Sequence, residues 1–161
     1  MIPLNRTCWN GLYRVNLNGV FNVPIGTKTN VVLPTDNYQG ISNLLKKARL
    51  MNRDFEPIIA KAKEGDLLFI DPPYTVKHNN NNFRKYNENI FSWKDQIRLC
   101  NSLEVAKARG TKIILCNADN ESVIKLYKGI GKIFKLNRQS KLAADPSKRQ
   151  NTTEIVILNT L

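Results

Sequence analysis

A chain of 161 residues suits a single domain, and a hydrophobic content of 42% is enough for a core, yet no apolar run is long enough to cross a bilayer. The 25 lysine and arginine residues exceed the 13 aspartate and glutamate residues, and the resulting net charge of +12 favours a polyanionic partner. On charge alone, a basic protein with no nucleic-acid role stays an alternative. The cysteines have no metal-like spacing and the first residues predict no secretory signal, so we expect no metal site and a cytoplasmic protein.

The first 34 residues contain many turn formers and little helical periodicity. Short runs at 13–16 and 20–23 flank the segment Leu17-Asn18-Gly19. An Asn-Gly pair supplies the positive backbone φ that a tight hairpin turn requires. We therefore predict a hairpin in this segment.

Residues 35–64 are predicted to be helical, with a cap at Thr35 or Asp36 and a break near Asn52. The apolar run at 67–70 has the pattern of a strand that is buried on both faces. This strand would open the regular part of the fold.

The second half of the chain alternates helices and strands. Ser92 can cap a helix that runs to about Arg109 and ends at Gly110. Its inner face would carry Ile97, Cys100 and Leu103. Further predicted elements are a buried strand at 112–116, a helix at 121–127, and strands at 133–136 and 154–158 that pair around a basic loop. This order implies a parallel sheet with crossover helices.

Parallel sheets bind ligands beyond the carboxyl ends of their strands. Asp71 follows the first buried run, and Asn117 follows the apolar residues of the second. These two positions are therefore the predicted start of a site.

Asp71 begins the sequence Asp-Pro-Pro-Tyr. The two prolines fix the backbone, while their carbonyls can still accept hydrogen bonds. A carboxylate beside such a carbonyl can hold a planar amino group and stabilise the positive charge that develops on its nitrogen during methylation, while Tyr74 stacks on the ring. The pattern suits a nucleobase that has flipped out of a duplex. A rigid turn with no catalytic role is the alternative.

The chain resembles the Dam-type, or D12 class, DNA adenine-N6 methyltransferases, whose motif is Asp-Pro-Pro-Tyr. Residues 83–87 and 91–99 are similar to the loop and helix after that motif, and residues 4–14 and 21–26 are similar to the family's DNA-reading hairpin. The resemblance covers nearly the whole chain. It implies an α/β fold with a partial Rossmann-like class I methyltransferase sheet.

This resemblance divides the chain into two functional parts. Residues 1–34 would be the N-terminal DNA target-recognition hairpin segment, and residues 35–161 would be the C-terminal half of the catalytic domain. Within the second part, the catalytic residues implied are Asp71, Pro72 and Tyr74, which would hold the target adenine.

The same resemblance implies contacts to S-adenosylmethionine from Asp54, Phe55 and Asp71. The Asp-Phe pair matches residues that lie against the adenine of this cofactor in the family. An ordinary apolar helix position is the alternative for Phe55.

The DNA-binding residues implied by the resemblance are Trp9, Asn10, Leu12, Arg14 and Pro24. Arg14 would read a guanine of GATC through a bidentate contact. Leu12 and Pro24 would contact neighbouring bases, Trp9 would wedge into the base stack, and Asn10 would contact a phosphate. A core position for Trp9 and a solvated surface charge at Arg14 are the alternatives.

The basic loop at 138–149 is expected either to follow the phosphate backbone or to be a solvated loop. The family's Phe-x-Gly-x-Gly cofactor motif is not found in the sequence. We consider a truncated enzyme, one part of a split enzyme whose N-terminal half is a separate chain, and a protein that no longer methylates.

The expected function is site-specific adenine methylation of double-stranded DNA with S-adenosylmethionine, in a restriction-modification or Dam-like setting. A DNA-binding fragment without catalysis is the first alternative. A methylase of RNA or of a protein amide is the second, and an aspartate rather than an asparagine at position 71 argues against it.

Overall fold

The computed structural model describes residues 2–16, 18–76, 91–139 and 151–159. Within these ranges, residues up to Asn52 belong to one compact unit and residues from Arg53 onward belong to a second. None of the described helices combines the length and the apolar character that a bilayer crossing requires.

The first unit contains two short helices, α1 (Ile2–Thr7) and α2 (Tyr38–Leu45), and a 3-10 turn at Trp9–Gly11. Helix α1 corrects the expectation of little helix before residue 34. It buries no side chain, and the Thr7 hydroxyl donates to the Pro3 carbonyl at 2.9 Å. A helix without a buried face has no apolar periodicity for a sequence pattern to reveal.

Antiparallel contacts join two stretches of the first unit, residues 8–15 and residues 21–25. Single bridges pair Cys8 with Ile25 and Val15 with Phe21. Gly19 has a φ of +77°, and its N–H donates to the carbonyl of Asn16 at 3.0 Å. The positive φ lies at the Asn-Gly position where the sequence predicted a turn.

The predicted helix over residues 35–64 is wrong in its extent. The structure has α2, whose first turn donates an N–H to the side chain of Asn37 at 2.8 Å, and the single-turn helix α3 (Glu56–Ile59). The carboxylate of Asp54 accepts the first N–H of α3 at 2.9 Å. Helix α2 buries none of its residues, so no core packing favours its extension.

The second unit contains a four-stranded sheet. Its elements after α3 are β1 (Leu67–Ile70), α4 (Trp93–Ala108), β2 (Lys112–Ala118), α5 (Glu121–Tyr127), β3 (Lys132–Gln139) and β4 (Asn151–Leu158), and the strand order is β1-β2-β4-β3. Strands β1 and β2 are parallel, with α4 between them in sequence, as predicted. Strand β4 is antiparallel to β2 and β3, which confirms the predicted pairing of the last two strands but makes the sheet mixed rather than parallel.

One face of the sheet forms the core of the second unit. Ile113 and Leu115 of β2 and Ile157 of β4 are completely buried in a cluster that includes side chains of α4 and α5. On β1, by contrast, Leu67 is 57% exposed and Phe69 is 65% exposed. The prediction that this strand is buried on both faces is therefore wrong, because its alternate side chains point away from that core.

Local signals define both ends of α4. The Ser92 hydroxyl accepts the Asp95 N–H at 3.2 Å, and the Asp95 carboxylate accepts the Ser92 N–H at 2.8 Å. This reciprocal capping satisfies donors that a helix start leaves free. Gly110 follows the helix with a φ of +83°, as a glycine at a helix end commonly does. Both predicted boundaries are confirmed.

The inner face of α4 differs from the prediction at one position. Cys100 and Leu103 are buried as expected, but Ile97 is 40% exposed. Gln96 is buried instead, together with Leu99. A spacing of 3.6 residues per turn aligns 96, 99, 100 and 103 on one face and rotates 97 away from it.

Candidate functional site

The Asp-Pro-Pro-Tyr segment starts directly after β1 ends. Asp71 is exposed, Pro72 is buried and Tyr74 is half-buried. Burial, and then the negative charge of Asp71, raise the pKa of the Cys116 thiol on the neighbouring strand β2. Asp71 thus presents a solvent-accessible carboxylate at the carboxyl end of a strand, next to a backbone that the buried proline restricts.

Asn117 does not begin an open site, contrary to the prediction. Strand β2 continues to Ala118, and Asn117 is completely buried within it. Its side-chain amide donates to the Gln96 side-chain oxygen at 3.2 Å. The apolar run in the sequence ends at Cys116, but the strand continues to Ala118. Asn117 can occupy a core position within it because its polar side chain has a hydrogen-bond partner.

A buried hydrogen-bond network holds the chain that follows Tyr74. The Thr75 hydroxyl donates to the Phe91 carbonyl at 2.5 Å, and the Gln96 amide donates to the Thr75 carbonyl at 3.3 Å. The Tyr127 hydroxyl donates to the Gln96 side-chain oxygen at 2.7 Å. Sequence reasoning missed this network, although a glutamine in register with the apolar face of α4 was a signal for it.

Arg98 of α4 joins three carboxylates. Its Nη2 lies 3.0 Å from Asp54 Oδ2 and 2.8 Å from Glu56 Oε2, and its Nη1 lies 2.7 Å from Asp95 Oδ1. The backbone N–H of Glu56, and then the Arg98 guanidinium, lower the pKa of Asp54. Hydrogen bonds to Glu56, Asp54 and Asp95 raise the pKa of Arg98. Sequence reasoning missed Arg98, because two of its three partners, Asp54 and Glu56, are 44 and 42 residues away.

The predicted cofactor residue Phe55 lies in the same cluster. The Arg98 guanidinium carbon is 4.9 Å from the centre of the Phe55 ring, and the Phe91 ring centre is 5.9 Å away at a tilted angle. Phe55 is half-buried and packs against the core. The Asp54-Phe55 pair is therefore fixed from one side by a cation and from another by an aromatic ring.

In the first unit, the two bridged stretches bring Trp9 and Pro24 together. The backbone N–H of Trp9 donates to the backbone carbonyl of Pro24 at 2.9 Å, and 46% of Trp9 is exposed. Asn10 is exposed and has a φ of +53°, while Leu12 is half-buried. The exposure of Trp9 is inconsistent with a core position and leaves its ring available for contacts.

A cavity of about 410 Å³ lies beside these residues. Its lining comprises Asn5, Arg6, Cys8, Trp9, Asn10, Gly11, Gly26, Thr27 and Lys28. Basic and amide side chains at such a cavity suit an anionic group.

Arg14 is exposed and held in a fixed orientation. Its Nε donates to Asn22 Oδ1 at 2.9 Å, and its Nη2 donates to the Asn22 carbonyl at 3.0 Å. The rings of Tyr13 and Phe21 meet beside it, with centres 5.7 Å apart. A guanidinium has five N–H donors, so these described contacts leave the Nη1 side for another acceptor.

Two predicted segments lie outside the described residues. One is the family-like loop at 83–87, and the other is the part of the basic loop after residue 139, since residues 138 and 139 of the predicted loop are the last two residues of β3.

The model of a known protein family matches this chain over residues 1–142; its description is the D12 class of N6 adenine-specific DNA methyltransferases. A type II methyltransferase of Methanocaldococcus jannaschii is 35% identical over 161 residues, which is 98% of this chain and 55% of that protein. A type II methyltransferase of Lactococcus lactis is 32% identical over 157 residues, which is 96% of this chain and 55% of that protein. A DNA adenine methylase of Vibrio cholerae is 29% identical over 159 residues, covering 98% of this chain and 57% of the relative.

The chain therefore spans about half the length of the curated relatives that it matches.

Proposed function

The chain belongs to the D12 class of N6 adenine-specific DNA methyltransferases, and we propose that it provides the target-binding part of an enzyme that methylates the exocyclic amine of adenine in duplex DNA at GATC sites. The observation that carries the proposal is the Asp-Pro-Pro-Tyr segment at the carboxyl end of β1, with an exposed Asp71 and a buried Pro72. Sheets with parallel strands bind ligands at this end.

The chemistry assigned to this segment is the activation of a poor nucleophile. Asp71 accepts a hydrogen bond from one amine proton and the Pro72 carbonyl accepts one from the other. Both acceptors would stabilise the positive charge on the nitrogen as its bond to the methyl carbon forms and the bond from that carbon to the sulfonium sulfur breaks to leave a thioether; the methylated nitrogen then releases one proton to solvent. Tyr74 stacks on the adenine after the base has left the duplex.

The family generally uses S-adenosylmethionine, which when bound supplies an electrophilic methyl group on a sulfonium. The aromatic ring of Phe55 and the carboxylate of Asp71 fit a ligand with a planar base and a cationic amine. The Asp54 carboxylate already bonds Arg98 and the start of α3. We therefore assign two roles to Asp54: it holds Phe55 in place, and it contacts the cofactor.

The DNA-reading role falls to the first unit. Arg14 reads a guanine with the donors that Asn22 leaves free, and Leu12 and Pro24 contact neighbouring bases. Exposed Trp9 wedges into the base stack, and Asn10 contacts a phosphate. The hairpin segment 1–34 is then the recognition element and residues 35–161 are the C-terminal half of the catalytic domain.

The mixed sheet supports a partial Rossmann-like class I methyltransferase fold. The N-terminal half of the family, which carries the cofactor motif, completes the enzyme, either as part of the same polypeptide or as a separate chain. The setting that fits a DNA substrate is the cytoplasm.

A second candidate function is DNA binding without catalysis, which is favoured by the net charge of +12 together with the 55% coverage of the relatives.

The test is incorporation of a radiolabelled methyl group from S-adenosylmethionine into a GATC duplex, by the chain alone and with a supplied N-terminal half. We expect incorporation when both halves are present. Methylation of RNA or protein but not of DNA would overturn the substrate assignment. DNA binding with no incorporation under either condition would establish the second candidate instead.

A further inference from the structure

The hairpin of the first unit has two faces, and the residues assigned to base reading share one of them. Val15 and Phe21 form a bridged antiparallel pair. Side chains alternate between the faces of a strand, so the pairs on either side of this one belong to the opposite face. The bond of 2.9 Å between the side chains of Arg14 and Asn22 agrees with that placement. We call this the reading face; it carries Leu12, Arg14, Asn16, Val20, Asn22 and Pro24.

Val20 lies on the reading face near the tip of the hairpin, one step beyond Arg14. It is 58% exposed, so the fold of the first unit gains little from its apolar side chain. Its backbone, by contrast, is held twice by Asn16. The Asn16 N–H donates to the Val20 carbonyl at 2.9 Å, and the Val20 N–H donates to Asn16 Oδ1 at 3.0 Å. Val20 is therefore an apolar side chain in a fixed position, open to a ligand.

The order of residues along the reading face locates Val20 relative to the target site. Each guanine of a GATC duplex lies in one of the two end base pairs. With Arg14 on such a guanine and Leu12 and Pro24 on bases inside the site, the next step toward the hairpin tip falls outside it. Two residues of a strand span about 7 Å, which is the rise of two base pairs. Val20 thus reaches the first two base pairs that flank GATC.

We propose that Val20 contacts a base pair outside GATC and favours a thymine there through its C5 methyl group. The major groove admits a two-stranded ribbon, and thymine is the base that presents a methyl group on that edge. Contact between this methyl and the valine side chain removes apolar surface from water. The inference rests on the proposed function, to which it adds that the preferred substrate is GATC in a thymine-containing flank.

Asn16 is the other side chain at this step, and its bonds make it a poor reader. Its Oδ1 accepts the N–H groups of Asn18 and Val20, each at 3.0 Å. These two bonds occupy both lone pairs of the oxygen. An asparagine reads adenine with its oxygen and its amide nitrogen together, so Asn16 lacks half of that contact. Discrimination at this step therefore falls to Val20.

The experiment is competition binding of the chain to GATC duplexes at one fixed salt concentration. The duplexes carry either thymine or uracil in the first or second pair outside the site, in either strand. Uracil lacks only the methyl group, so the comparison isolates that contact. We expect thymine to bind about three- to fourfold more tightly at one of these positions, as for one methyl group removed from water.

Two substitutions of the same kind separate the contact from a general effect. Val20→Ala should bring the thymine-to-uracil ratio close to one, and it leaves the backbone bonds to Asn16 in place. Val32→Ala is the matched control, since Val32 is 64% exposed in the same unit and lies outside the hairpin. It should leave the ratio unchanged.

Equal affinity for thymine and uracil at every position would overturn the proposal, and so would an equal loss of discrimination in both variants. The same duplexes are then methylated by the chain completed with an N-terminal half. Discrimination in binding without methylation counts against the proposed function only. Methylation of GATC without discrimination counts against the Val20 contact only.

Discussion

At the level of single side chains, the Arg14 guanidinium is oriented before any base is present, through bonds of 2.9 and 3.0 Å to Asn22. An exposed arginine would otherwise lose rotamer freedom when it meets a guanine. Holding it in advance reduces that entropic cost. If Arg14 reads a guanine as proposed, Asn22 acts on recognition through Arg14 rather than by touching DNA.

Replacement of Arg14 by alanine should remove about 1–3 kcal/mol of preference for GATC over a scrambled duplex. Asn22→Ala should reduce the preference by less, because the guanidinium remains but is no longer held. The measurement is competition binding at one fixed salt concentration. Equal preference in the wild type and in Arg14→Ala would contradict the assignment.

Arg98 contacts both residues of the proposed cofactor pair, the carboxylate of Asp54 and the ring of Phe55. Its removal leaves the carboxylates of Asp54, Glu56 and Asp95 near one another without a cation. We predict that Arg98→Gln weakens S-adenosylmethionine binding by the completed enzyme and leaves DNA affinity unchanged. Calorimetric titration with cofactor and a parallel DNA titration test this prediction. A loss of DNA binding of the same size would indicate a merely structural role.

The same substitution has a predictable pH dependence. The pKa values of Asp54 and Asp95 are lowered from the ordinary value of 3.8, chiefly by hydrogen bonds from Glu56 and Ser92 and further by Arg98. A lowered pKa stabilises the fold above the unfolded-state value and stops doing so as the pH falls through the lower folded-state value. Arg98→Gln should thus lower the free energy of unfolding at neutral pH. At a pH far below 3.8 the same substitution should have a much smaller effect. Urea midpoints of the wild type and the variant at both pH values measure the difference. A constant difference would contradict the ion-pair account.

Some site residues could be predicted from sequence and others could not. Asp71 was predicted because its motif is contiguous and follows a strand, and both signals are local. Arg98 was not predicted, because the carboxylates that it joins meet only after α3 and α4 pack together. Asn117 was assigned wrongly for a related reason: its partner Gln96 is on another element.

At the level of elements, α4 connects the site to the core. Its Gln96 side chain accepts from Asn117 and Tyr127 and donates to the carbonyl of Thr75, next to the Asp-Pro-Pro-Tyr segment. Burial is the main cause that raises the pKa of Tyr127, so its hydroxyl stays protonated and remains a donor. The helix thereby fixes the backbone that follows Tyr74.

Gln96→Leu should lower the free energy of unfolding by about 1–3 kcal/mol, because Asn117 and Tyr127 lose a buried partner. Exposed Ile97 is the neighbouring control, and Ile97→Ala should cost less than about 0.5 kcal/mol. Urea denaturation measures both. Equal effects of the two substitutions would show that the network does not stabilise the fold.

Helices whose ends are marked by capping residues in the sequence were predicted correctly. The extent of elements that depend on tertiary packing was not. Ser92 and Gly110 mark α4 in the sequence itself, and the structure confirms both ends. The helix expected over 35–64 lacks a buried face along α2, so its propensity alone did not produce a long helix. The apolar run of β1 predicted a strand correctly but could not indicate that only one of its faces meets the core.

At the level of the whole molecule, the parallel pair β1 and β2 followed from the intervening helix. The position of β4 between β2 and β3 did not, since strand order depends on packing that a linear pattern does not encode. The sheet leaves apolar side chains on one face, and the sequence spans 55% of its first relatives. Both observations agree with the proposal that the chain provides the target-binding part of a larger enzyme.

The central claim is that the carboxylate of Asp71 activates adenine for methylation. The measurement is the rate of N6-methyladenine formation in GATC DNA by the chain completed with an N-terminal half, compared between the wild type and Asp71→Asn. We predict a loss of about 100-fold or more for Asp71→Asn, since the neutral amide lacks the negative charge that stabilises the positive charge developing on the amine nitrogen. Glu104→Gln, an isosteric change at an exposed position of α4, should have no effect. An Asp71→Asn enzyme as fast as the wild type would contradict the account.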